Sequence, residues 1–126
     1  MKILLATASV FLLSTSAFAA DLNAELTTAA THAGLAAKAT DIMGVHMHMH
    51  HAINCLEGAK GADYDASNAN PCAKQGDGAM VDSADAAQKA KLQMVVATLK
   101  TGLASSDMTV AAKDASDASA AITAAK

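Results

Sequence analysis

Four of the five histidines fall within six residues, His46-Met47-His48-Met49-His50-His51, and Met43 stands just before them. Imidazole and thioether are neutral donors suited to the later first-row transition metals, so the run reads first as a metal site. At about 100° per residue a helix splits these donors between two flanks. His46 and His50 share one flank with Met43 at i, i+4 spacing. His48 and His51 share the other with Cys55 at i, i+3 spacing, while Met47 and Asn54 point away from the core. Either histidine pair brings two imidazoles within reach of one ion. His32 lies in the preceding segment. If the first two helices form a hairpin turning near residues 39–40, position 32 stands level with positions 47–48 and gives one pair a third nitrogen.

The donor set narrows the ion. Imidazole suits Zn²⁺, Cu²⁺ and Ni²⁺, and thioether adds a preference for Cu⁺, so copper is the first expectation and zinc or nickel the second. No carboxylate occurs between Asp41 and Glu57, which disfavours Ca²⁺ and Mg²⁺ at this run. Asp63 and Asp65 open like a calcium loop, but the sixth position is Asn68 rather than Gly and the twelfth is Lys74. A plainer reading makes the segment a polar, pH-sensitive surface, with Met43 and Met47 covering a helix edge and Met49 in the core.

Catalysis finds little in the chain. His46 and His50 have the outer spacing of HExxH, yet position 47 is Met rather than Glu. No Gly-rich phosphate loop or nucleophile elbow is present, so the chain is not read as an enzyme. Haem is a third reading, weakened by the lack of a CxxCH motif and of aromatic residues to fill the pocket.

The elements that must position these donors are helical. Ala, Leu, Lys, Gln, Glu and Met supply most of the chain outside one loop. The first helix is expected over Leu22–Lys38, with Leu22, Leu26, Ala29, Ala33 and Ala36 on one stripe. The second spans Ile42–Glu57, capped by Asp41 and stopped by Gly58, with Ile42, Val45, Met49, Ala52 and Leu56 as its seam. A loop over residues 58–81 follows, holding Gly58, Gly61, Gly76, Gly78 and the single Pro71. A third helix begins near Asp82 or Ser83 and runs to about Leu103, burying Leu92, Val95, Val96, Leu99 and Leu103. The fourth covers about Met108–Ala125, and its Ala-dominated pattern is marginal in isolation. Together they predict an all-α fold, an antiparallel four-helix bundle with one long loop between helices 2 and 3.

Export follows from the N-terminus. Lys2, the apolar run Ile3–Phe18 and the small-x-small Ala17-Phe18-Ala19 fit a cleavable secretory signal of ~19 residues. The remaining chain, 20–126, is one domain without Phe or Trp, and its core is largely alanine. Removing Lys2 takes the net charge from −3 to −4, and the chain has no Arg. That balance excludes a nucleic-acid partner and an anionic membrane surface. In an exported chain the two cysteines, Cys55 and Cys72, are expected to pair and tie the loop to the second helix. An Ala-rich amphipathic bundle can also pair with a second copy of itself, and the pinned loop offers an alternative role as a contact surface.

Residues 46–82 resemble a group of small exported bacterial helical proteins with an HxHxxHxxNCLxG block followed by an NPC. Here these are His46, His48, His51, Asn54, Cys55, Leu56 and Gly58, then Asn70, Pro71 and Cys72, then Gly76 and Gly78. More loosely, the chain is similar to the small periplasmic metal-binding protein type, a four-helix bundle that binds copper and other divalent metals. The resemblance implies the bacterial periplasm. Relatives of that type carry histidines along several helices, whereas the third and fourth helices here carry none, which implies one or two sites rather than high-capacity storage.

Overall fold

Two aspartates start the helices that carry the histidines. Asp21 accepts a hydrogen bond from Ala24 N at 2.9 Å and opens α1, Leu22–Lys38. Asp41 accepts from Gly44 N at 2.8 Å and opens α2, Ile42–Glu57. Each carboxylate satisfies a donor that the first turn leaves unpaired. The structure, a computed structural model, describes residues 19–126. The expected export signal, residues 1–19, lies outside the described residues but for Ala19. Among the described residues the chain is all-helical, with α3 at Ala79–Asp82, α4 at Ala86–Ala104 and α5 at Met108–Thr123.

Two of these boundaries differ from the sequence expectation. The end of the 58–81 loop contains the short turn α3, and α4 starts later than Asp82 or Ser83. Asp85 takes the cap, its carboxylate accepting from Ala87 N at 2.8 Å. Ser83 instead bonds Gln88 Oε1 and accepts from Asp85 N, which shapes the approach to the cap.

α1 packs on α2 and α5, α4 packs on α5 and α2, and α2 meets α5 across the centre. The core joins Leu26, Ala29 and Ala33 to Val45, Met49, Ile53 and Leu56, to Leu92, Val95 and Leu99, and to Ala111, Ala115 and Ile122. Alanine at most buried positions of α1 and α5 lets the two backbones approach, and Ser119 Oγ donates to the Ala30 carbonyl at 2.9 Å. Packing of this kind docks α5, whose pattern alone is too weak to hold a helix. Among the described residues no helix is long and apolar enough to cross a membrane.

The loop is tied to the end of α2 by several independent contacts. Cys55 and Cys72 form a disulfide across 17 residues. Gly58 closes α2 at φ 67°, where a Cβ would run into the Asp77 carbonyl, and Gly78 at φ 118° lies directly against the Glu57–Gly58 peptide. Only residues without a Cβ allow that approach. Glu57 Oε2 accepts from Asp63 N at 2.7 Å.

Asn54 is the hub of the loop. It is away from the helical core, as its position on α2 predicts, but fully buried because the loop folds over it. Its amide donates to the carbonyls of Asp65 (2.9 Å), Asn68 (3.2 Å) and Ala69 (3.1 Å), while Oδ1 accepts from Asp65 N at 2.9 Å. Asn54→Ala is therefore expected to cost about 1–3 kcal/mol, read as a lower midpoint in urea denaturation.

Candidate metal centre

His32 projects from α1 toward α2, and His48 and His51 project from α2 toward α1, because both helices turn their apolar stripes inward and carry these rings at the margin of the shared interface. His32 Nδ1 lies 3.2 Å from His48 Nδ1. The ring centroids are 5.4 Å apart for His32–His48, 5.0 Å for His32–His51 and 5.6 Å for His48–His51. One ligating atom from each of the three residues lies within 4.8 Å of the others, and all three side chains are half-buried.

The arrangement is close to what an ion requires. With metal–nitrogen bonds of about 2.0–2.1 Å, a tetrahedral site separates its nitrogens by about 3.3 Å. The His32–His48 pair already has that separation, and a ligating atom of His51 lies within 4.8 Å of both. His51 supplies an independent sign of fit: its Nδ1 is buried with no hydrogen-bond partner. A buried ring nitrogen without a partner remains available to an ion.

Electrostatics favours the ligating form. Burial lowers the pKa of His32 first, and the neighbouring His51 and His48 lower it further. Burial likewise lowers that of His51, followed by the effect of His48 and His50. Both rings are thus held neutral, the state in which imidazole binds metal. The sign for stability follows by linkage. Above the ordinary value of 6.5 these rings are neutral in both folded and unfolded chains. As pH falls below it the unfolded chain takes up protons that the folded chain resists, so stability is lost through the lowered folded values. The metal-free protein is expected to lose more stability between pH 7.5 and 5.5 than a His32→Ala/His51→Ala variant, by urea denaturation at each pH.

The other expected ligands are placed elsewhere. His46 Nε2 donates to the Ser105 carbonyl at 3.1 Å, joining α2 to the α4–α5 connection. His50 Nδ1 lies 3.3 Å from Asp65 Oδ2 on the loop side of α2, close enough for an ion pair when the ring is protonated but without a hydrogen bond. The Asp65 carboxyl is held down to about 2, chiefly by the Ser67 hydroxyl and backbone N–H, then by Asn68. Met43 is 79 % exposed and Met47 43 % exposed. Met47 stands one turn before His51 on α2. Cys55 is committed to its disulfide.

Sequence reasoning placed His32 level with His48 but left open which histidine pair it joins. It also missed Glu25, an acid wholly buried in the first turn of α1. The apolar stripe of that helix contains position 26, and its neighbour 25 is buried only because the 76–82 segment covers it. Comparison with family models, curated proteins and solved structures finds no match to this chain, so the site is read from its own geometry.

Proposed function

We propose that this is a metal-binding protein of the bacterial periplasm that buffers, stores or hands over one transition-metal ion, copper first and zinc or nickel second. The supporting observation is the meeting of His32, His48 and His51 from two helices, with their ligating atoms within 4.8 Å of one another. Three imidazole donors follow the general order in which Cu²⁺ outcompetes Ni²⁺ and Zn²⁺. Met47, half-exposed beside His51 in helical spacing, is the thioether we assign as an assisting donor for Cu⁺. Binding rather than catalysis is the proposed role. The proposed scaffold is an antiparallel four-helix bundle of α1, α2, α4 and α5, in which the pinned loop holds the end of α2.

Thermal unfolding tests this reading. An ion bound only by the folded chain stabilises it by about 2.7 kcal/mol at a free concentration 100 times its Kd. The expected result is a rise in Tm with Cu²⁺, and smaller rises with Ni²⁺ and Zn²⁺, all absent in a His32→Ala/His48→Ala/His51→Ala variant. Equal behaviour of the two proteins would contradict the proposal.

A further inference from the structure

Glu25 and Asp82 face each other far along the sequence. Glu25 is fully buried in the first turn of α1. Its Oε1 accepts from Gly78 N at 2.9 Å, while its Oε2 is buried without a donor. Asp82, the last residue of α3, accepts from Asp77 N at 2.8 Å through Oδ2. Both carboxylates lean on Gly76, where an added Cβ would run into each of them. The charged groups set against Glu25 are Asp82 on α3 and Asp77 in the preceding loop, both acidic, and the contact that favours its ionisation is the Gly78 N–H.

We propose that Glu25 and Asp82 share one proton, and that this proton clamps the 76–82 segment onto α1 and releases it when lost. Two ionised carboxylates at close range, one of them buried, repel each other, and Glu25 Oε2 has no donor to offset its charge. A single proton turns the same pair into a hydrogen bond. Burial, opposed by Gly78 N–H and reinforced by Asp82, pushes Glu25 up from 4.5 to about 7. The clamp is therefore fully present below about pH 4.5 and is lost as pH rises through about 7. Because Gly78 also lies against the Glu57–Gly58 peptide, release frees the segment from α1 and from the end of α2 together. The device is separate from the histidine triad and does not depend on a bound ion.

Two measurements on the metal-free protein test it. Carboxyl carbon-13 NMR of the wild type follows both acids across pH 3–9. The expected result is that Glu25 takes up its proton near neutrality, with the Asp82 carboxyl carbon sensing that same step through the shared hydrogen bond. Amide hydrogen exchange, corrected for its intrinsic base dependence, then reports the segment itself. Protection of Asp77, Gly78 and Asp82 should fall by at least about tenfold between pH 6 and 8, as expected one unit past the transition. Glu25→Gln, whose neutral amide can donate to Asp82 at any pH, should keep that protection. Titration of Glu25 below pH 5, or a Glu25 step that leaves the Asp82 carboxyl carbon unmoved, would overturn the proposal, whether or not the variant folds. So would equal loss of protection in the wild type and Glu25→Gln.

Discussion

Replacing His32 by alanine is expected to weaken metal binding by at least about 100-fold, or about 2.7 kcal/mol. The variant keeps the whole histidine run of α2 and removes only the nitrogen that α1 brings to it. His32 is 3.2 Å from His48 and its ring packs edge-on against His51 at 5.0 Å, so its loss leaves two donors where there were three. Stability should change little, because the ring is half-buried at the helix margin and its burial opposes protonation. His46→Ala and His50→Ala serve as controls. Those rings bond Ser105 and approach Asp65, so their loss should leave affinity within a few-fold while loosening the α4–α5 connection or the loop. Competition titration against a chelator of known affinity distinguishes the cases. If all three variants weaken binding alike, the ion is held by the run as a whole rather than by the triad.

The second large effect concerns stability. A Cys55→Ala/Cys72→Ala variant is expected to lose about 3 kcal/mol, the loop-closure contribution for a bridge of this span. The chain has little reserve against such a loss. Its core is mainly alanine and the aliphatic residues of α2 and α4, and a domain of this size holds roughly 5–15 kcal/mol in total. Both sulfur atoms are buried, so small cavities add to the cost. The drop in Tm should be about 10–20 °C by calorimetry. Alanine at both positions avoids leaving a thiol beside the histidines, which would add a new ligand and obscure the result.

What was legible in the sequence follows from where the determining interactions lie. The boundaries of α1 and α2 are local, set by Asp41, by the last turn of α1 and by Gly58, and the reading of residues agrees with the structure at both. The start of α4 was not legible, because Asp82, Ser83 and Asp85 can each cap a helix. Long-range contacts decide among them: Asp82 is drawn to Glu25 and the Asp77 amide, which leaves Asp85 to cap. The i, i+3 relation of His48 and His51 could be read from spacing. Their union with His32 required the rotation of α1 about its own axis, which depends on packing against both α2 and α5. Asn54 shows the same limit. Its direction away from the core was readable, but its burial depends on a loop returning over it with three carbonyls.

The central claim is that one ion is held by His32, His48 and His51 together, and side-chain nitrogen-15 NMR of the histidine rings during a Zn²⁺ titration tests it most directly. A diamagnetic ion leaves every ring visible, and a ligating nitrogen moves far from both its protonated and neutral positions. The rings of His32, His48 and His51 are expected to shift together and saturate near one equivalent, while His46 and His50 stay close to their metal-free positions. Shifts confined to His46 and His50, or all five rings moving weakly without saturation, would contradict it.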